Sequence, residues 1–317
     1  MTSPITTEEA FALLKTEGPK MYELFFRANK ARLEHRGDTV NLCGIVNAKS
    51  GMCTEDCKFC AQSAHNDVEN VACYKLMDTD AIIEKGKISQ ENKASRFGIV
   101  TSGVAVEAED EIQSLEKTIR TMSSELTSLP CASLGNISKE TMLRLKDAGL
   151  TRYHCNIETA KSYYPQICST RPWDDAADTV RAAKAVGLAV CCGGLVGLGE
   201  SLAQRVELLE QIRELDVDSV PLNFYYPVKG TKVEIDAPIA PLECLKFIAV
   251  ARLMMPEKEI RVCGGREFNL GDLQSWSLIC GADGMMVGGY LTTRGRAVED
   301  DLKMISDAGF RVQWHQH

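Results

Sequence analysis

From residue 39 onward, short apolar runs alternate with helical patterns, and this alternation limits the possible folds more than any other feature of the chain. Candidate strands cover Thr39–Val46, Arg96–Ser102, Leu129–Leu134, Tyr153–Ile157, Leu188–Val196, Ser219–Phe224, Glu259–Cys263 and Gly284–Val287. Helical stretches fall at about 78–92, 107–126, 138–148, 174–186, 201–215, 241–255, 270–280 and 297–308. Many start after Ser, Thr or Asp, and Gly149, Gly187 and Gly309 close three of them, as capping chemistry predicts. Such alternation implies parallel strands joined by right-handed crossovers. Eight units in roughly 260 residues is the size of a (βα)8 barrel, with a doubly wound open sheet as the rival. Two amphipathic helices, about 7–15 and 20–35, come first. The expected architecture is therefore α/β: one TIM-type barrel domain over 1–317. It would comprise an N-terminal helical extension (1–38), a barrel core (39–295), and a C-terminal helix with a short tail (296–317).

A barrel places its chemistry at the C-terminal ends of its strands. The first strand leads into a loop carrying Cys53, Cys57 and Cys60 in a C-x3-C-x2-C spacing. Three thiolates on a short loop can hold three irons of a cubane [4Fe–4S] cluster and leave the fourth iron open to a ligand. A zinc knuckle is the alternative, but it needs a second C-x2-C or H-x3-5-H unit downstream. None follows, and His65 is the nearest extra candidate.

Later strands carry other polar groups. His154, Asn156 and Glu158 alternate along one strand and so share a face, where polar groups need partners or a ligand. Asn223 is a lone amide in an apolar run. Arg261 and Cys263 are again two apart, and an arginine inside a barrel is costly unless it meets an anion or a cluster. The glycine-rich run from Cys191 to Glu200 ends a strand before a helix, where backbone can approach a ligand closely. It lacks the G-x-G-x-x-G of a dinucleotide site.

Composition narrows the partners. The 317 residues carry a net charge of −8 and a pI near 5.3, with no basic run, which argues against nucleic acid and anionic membrane. No basic segment leads into an apolar stretch near Met1, so a cytoplasmic protein is expected. Thirteen cysteines without a secretion signal point to reduced thiols and metal ligation. Cys43, Cys73, Cys168, Cys244 and Cys280 are expected to be buried small hydrophobes.

The cysteine loop, with aromatic Phe59 before its last Cys, resembles the signature of the radical S-adenosylmethionine (SAM) superfamily. In that superfamily SAM chelates the open iron and is cleaved to methionine and a 5′-deoxyadenosyl radical. Further motifs resemble the biotin synthase family from about residue 40 to 295: Tyr153 to Thr159, Ser169-Thr170-Arg171, Val190 to Glu200, Ser219 to Asn223, Ala249 to Pro256, Gly265-Arg266-Glu267 and Leu291-Thr292-Thr293. The resemblance implies a radical SAM barrel, usually a homodimer, that inserts sulfur into dethiobiotin with electrons from a flavodoxin- or ferredoxin-type donor. It implies that Phe59, Asn156, Glu158 and Arg171 lie at SAM. It further implies that Asn156 and Asn223 hold the ureido ring of dethiobiotin, and that Thr292 and Thr293 receive its carboxylate.

The pattern also departs from that family. Its auxiliary two-iron cluster uses three cysteines and an arginine, of which Cys131, Cys191 and Arg261 match here. The first cysteine falls at Gly98. Glu158 and His154 stand where more familiar members carry Asp and Asn. Since Cys263 shares a face with Arg261, the expected ligands are Cys131, Cys191 and Cys263, with Cys192 pointing outward unless a bulge exchanges it with Cys191. Space beside Gly98 favours a four-iron auxiliary cluster whose fourth iron carries an extra sulfide, over a [2Fe–2S] cluster. Alternatives are a hydrogenase maturase-like or aminomutase-like radical SAM enzyme and, from another class, a non-catalytic iron–sulfur or zinc protein.

Overall fold

A computed structural model describes residues 2–235, 237–292 and 295–314. The apolar runs form eight barrel strands, numbered here by order along the chain. They are Thr39–Lys49, Arg96–Thr101, Leu129–Ser133, Arg152–His154, a fifth in two pieces (Ala189–Cys191 and Gly194–Val196), Ser219–Phe224, Glu259–Val262 and Gly284–Met286. Every pairing is parallel, and the eighth strand pairs with the first through Asn41↔Gly284 and Cys43↔Met286. The sheet is thus a closed barrel, which rejects the doubly wound open sheet.

The helices Thr7–Leu14 and Pro19–Arg36 precede the barrel. Arg32 is fully buried and ties the second of them to the barrel by donating to the carbonyls of Ala282, Gly37 and Thr39. Three details differ from the sequence expectation. The fifth strand breaks at Cys192-Gly193, where a Cβ on Gly193 would stand 1.9 Å from the Pro221 carbonyl oxygen. The stretch 270–280 is not one helix: Arg266–Leu270 and Gln274–Ile279 flank a turn at Gly271, whose φ is +49°. A short strand, Arg311–Val312, pairs with Thr39 and Val40.

Strand register fixes which side chains meet inside. Along the first strand burial alternates, with Val40, Leu42, Val46 and Ala48 packed outward and Asn41, Cys43, Ile45 and Asn47 facing inward. In an eight-stranded barrel of shear eight, a level ring takes one inward residue from each alternate strand and advances two residues for every two strands crossed. Cys43 pairs with Arg96 and Arg96 with Leu129, so Cys131 is level with Cys43. The same step leads through Arg152 and Ala189 to Cys191, and through Ser219 and Glu259 to Arg261. Gly284 and Asn41 then return it to Cys43. Cys43, Cys131, Cys191 and Arg261 therefore form one ring. Gly98, His154, Pro221 and Met286 form the next ring toward the mouth, and Cys263 lies in the ring above that.

Candidate active site

The mouth loop is held by its own backbone and by a strap. Cys53 N–H donates to the Gln62 carbonyl and Ala64 N–H to that of Cys53, while Asn66 Nδ2 donates to the carbonyls of Cys57 and Cys60 at 3.1 and 2.8 Å. Asp56 accepts from the backbone N–H groups of Ser169 and Thr170 at 2.8 and 3.1 Å, and Glu55 accepts from the Thr170 hydroxyl at 2.5 Å. These bonds to Ser169 and Thr170 outweigh desolvation and hold the Asp56 carboxyl well below the usual range. Ser169-Thr170-Arg171 thus acts as the strap, a role no spacing rule reveals.

A cavity of about 450 Å³ runs from this loop into the barrel. Cys53, Cys60, His154, Asn156, Glu158, Asn223, Thr292, Cys43, Gly98, Cys131, Cys191, Arg261 and Cys263 all line it. Cys57 turns away toward Cys168, and their hydrogen bond, with burial, raises the Cys57 thiol. Burial raises Cys60 to about 11. Phe59 is half-buried against the core, Arg171 Nε donates to the Tyr164 hydroxyl at 3.2 Å, and neither side chain lines the cavity. Thr293 lies outside the described residues.

The regular fourth strand ends at His154, yet Asn156 and Glu158 continue on the same inner side. Asn156 Oδ1 accepts from Gly193 N–H at 3.1 Å, which turns its amide group toward the Glu158 carboxyl on the same side of the cavity. Glu158 holds a φ of +63°, an uncommon conformation for a non-glycine residue, and its carbonyl accepts from Leu195 N–H at 2.6 Å. Burial raises its carboxyl, against the opposing pull of Arg171 and His154. Burial lowers His154 to about 4, so its imidazole is neutral at pH 7. Asn223 braces two backbones: Nδ2 donates to the Gly194 carbonyl at 3.2 Å and Oδ1 accepts from Gly264 N–H at 2.9 Å. Each of its polar atoms keeps one free bonding position.

Deeper in the barrel, two guanidiniums share one carboxylate and a third stands beside a thiol. Arg152 donates to Glu259 at 2.8 Å, Arg261 pairs with the same carboxylate, and Arg96 Nη1 lies 3.9 Å from Cys131 Sγ. Burial opposes the charge on Glu259, but Arg261 and Arg152 prevail and hold it at about 2. The enclosed excess of positive charge is costly without an anion. Arg152 Nε and Ser219 Oγ are buried without a partner. An anionic iron–sulfur cluster held by the surrounding thiols fits this chamber on both counts. At the mouth, thiols on a braced loop beside an open cavity fit a second cluster. Among the described residues no three Cys, His, Asp or Glu side chains converge as a single metal ion would require.

Two cysteines expected to be core residues are placed otherwise. Cys43 lines the chamber in the same ring as Cys131 and Cys191, and Cys73 is exposed. The inward alternation of Asn41, Cys43, Ile45 and Asn47 was the available signal for Cys43. Cys168, Cys244 and Cys280 are buried as expected, and Cys192 is buried outside the cavity. Among the described residues no helix is long and apolar enough to cross a membrane.

A closed (βα)8 barrel with a three-cysteine loop at its mouth defines a radical SAM enzyme. Residues 49–212 match the profile of the radical SAM superfamily, and residues 221–311 match the biotin and thiamin synthesis associated domain. The chain is 49% identical to a biotin synthase of Trichlorobacter lovleyi, covering 97% of this chain and 92% of that one. It is 47% identical to a biotin synthase of Citrifermentans bemidjiense, covering 99% and 95%. The chain belongs to the biotin synthase family. Among solved structures it resembles methylornithine synthase (TM-score 0.85, 20% identity, covering 98% of this chain and 94% of that one). It also resembles the FeFe-hydrogenase maturase HydG of Carboxydothermus hydrogenoformans (TM-score 0.83, 18% identity, covering 99% and 77%). These two likenesses concern the fold alone, and family membership disfavours the maturase-like, aminomutase-like and non-catalytic alternatives.

Proposed function

We propose that the chain inserts sulfur into dethiobiotin to form biotin, taking that sulfur from an auxiliary iron–sulfur cluster inside the barrel. The observation that carries this reading is the single cavity joining the cysteine loop at the mouth to the thiol-lined, arginine-rich chamber below. When bound, the cluster on Cys53, Cys57 and Cys60 supplies the electron that cleaves SAM, and the auxiliary cluster supplies sulfur. Cys131, Cys191 and Cys263 hold the auxiliary cluster, with Arg261 beside it. A four-iron cluster would be favoured over a two-iron one because Gly98 leaves room in the ring between Cys131 and Cys263, and it would supply the transferred sulfur as an extra sulfide.

The chain's own groups bind and orient. Asn156 and Glu158 contact SAM, with Phe59 and Arg171 near it behind the cavity wall; Glu158 offers acceptors, and the Asn156 amide reaches both SAM and substrate. Asn223 offers its remaining donor and acceptor to the ureido ring, and Thr292 and Thr293 donate to the substrate carboxylate. Ile45, Val100, Ala132 and Met286 form an apolar wall along the cavity that keeps water from a radical. We also read the protein as a homodimer served by a flavodoxin- or ferredoxin-type donor. Tyr22, Phe26 and Leu33 form an exposed apolar stripe on one face of the helix Pro19–Arg36, the surface best suited to self-association.

Isotope transfer tests the sulfur source. Protein reconstituted with heavy-isotope sulfide and given SAM, reductant and dethiobiotin is expected to release first-turnover biotin carrying the heavy sulfur. Biotin with unlabelled sulfur would overturn the reading.

A further inference from the structure

Cys43 is surrounded by the wrong neighbours for a core cysteine. Cys192, Cys244 and Cys280 are fully buried among aliphatic side chains. Cys43 instead opens on the cavity and is level with Cys131, Cys191 and Arg261 in one barrel ring. Its thiol interacts with the charge of Arg261 and with the thiols of Cys191 and Cys131. Cys263, two residues beyond Arg261 toward the mouth, faces the same space and interacts with Cys43 and Cys191.

The first strand also lies beside the one that lacks a ligand. Ile45 pairs with Gly98, and a Cβ on Gly98 would meet Ile45 Cγ2 at 3.3 Å and Cys131 Cβ at 3.9 Å. The side-chain space missing at Gly98 is thus bordered by the strands that carry Cys43 and Cys131. The Cys43 thiol faces the chamber on the flank where the second strand offers none.

We propose that Cys43 is a fourth, exchangeable thiolate ligand of the auxiliary cluster. This rests on the reading that Cys131, Cys191 and Cys263 hold a four-iron cluster. Those three leave one iron without a protein ligand. Cys43 occupies that iron when the extra sulfide has been spent, and hydrogen sulfide displaces it on reloading. In the exchange an iron–thiolate bond breaks and an iron–hydrosulfide bond forms. The second proton of hydrogen sulfide passes to the Cys43 thiolate, and no electron moves. Four thiols around one chamber then have a common purpose: three anchor the cluster permanently, and one protects it between turnovers.

The test removes the mouth cluster so that only auxiliary iron is counted. In a Cys53→Ala, Cys57→Ala, Cys60→Ala background, iron, acid-labile sulfide and low-temperature EPR spectra are measured before and after free sulfide is removed by anaerobic gel filtration. The background protein is expected to keep about four irons per chain in both states. Adding Cys43→Ala should leave about four irons with sulfide present and about three after its removal, with the EPR signal of an oxidised three-iron cluster appearing once ferricyanide is added as one-electron oxidant. Cys43→Ser is the second variant, and circular dichroism melts confirm that each variant is folded. Unchanged iron and spectra in both Cys43 variants after sulfide removal would overturn the proposal. A background holding about two irons or none, or one indifferent to Cys131→Ala and Cys263→Ala, would overturn the four-iron reading beneath it.

Discussion

Cys57 and Cys168 allow the mouth loop to be dissected one thiol at a time. Cys57 lies beside Cys168 and off the cavity wall, on a loop braced by Asn66 and Asp56. Cys57→Ala should reduce 5′-deoxyadenosine formation to background, while Cys168→Ala should retain it, as measured by chromatography of quenched reactions. Equal loss in both would mean that Cys168 is a ligand. Asn223→Ala should weaken dethiobiotin binding about ten- to hundredfold by calorimetric titration, since a lost partner of a buried amide costs roughly 1–3 kcal/mol. It should also lower the melting temperature, because the same amide braces Gly194 and Gly264. His154 gives a pH signature. Its folded pKa of about 4 lies below the model-peptide 6.5, so between these values the unfolded chain binds a proton that the folded chain refuses. Stability of the cluster-free protein therefore rises with pH across that window and falls as pH drops through it. Urea midpoints should show His154→Asn to be less sensitive than the parent between about pH 4.5 and pH 7.

At the scale of elements, the contact between the fourth and fifth strands fixes Glu158 at the cavity. A Cβ on Gly194 would stand 2.5 Å from the Glu158 carbonyl oxygen and 3.0 Å from its carbon, both backbone atoms that cannot yield without moving Glu158. Gly194→Ala should cost about 1–3 kcal/mol in a thermal or urea melt and weaken SAM binding. An unchanged SAM affinity would separate Glu158 from SAM recognition. The same strands mark what the sequence could disclose. Apolar runs bounded by polar residues placed the starts at Thr39, Arg96, Leu129, Ser219, Glu259 and Gly284, because each strand buries one face under helices. The break at Cys192-Gly193 was hidden, because it answers to the Pro221 carbonyl on a neighbouring strand rather than to local pattern. The pair Arg311–Val312 is too short for any periodicity. Thiol positions on single strands were legible for Cys131, Cys191 and Cys263. That Cys43 shares a ring with two of them depends on register across all eight strands, which no single run encodes. The direction of the Cys57 side chain, beside Cys168 rather than on the cavity wall, leaves no trace in spacing.

For the whole molecule, one cavity joins the cysteine loop at the mouth to the thiol-lined chamber inside a closed barrel, with the helical extension outside. The exposed stripe on the helix Pro19–Arg36 leads to the expectation that Phe26→Glu converts a dimer to a monomer in light scattering while leaving SAM cleavage intact. An unchanged mass would place self-association elsewhere. On the proposed reading, a radical made from SAM at the mouth is spent on dethiobiotin held between the two sites. Its most direct test is anaerobic incubation of the reconstituted protein with SAM and reductant, with and without dethiobiotin, following 5′-deoxyadenosine and biotin together. Biotin formation and a marked stimulation of 5′-deoxyadenosine release by dethiobiotin are expected. Equal 5′-deoxyadenosine with and without dethiobiotin, and no biotin, would contradict the reading.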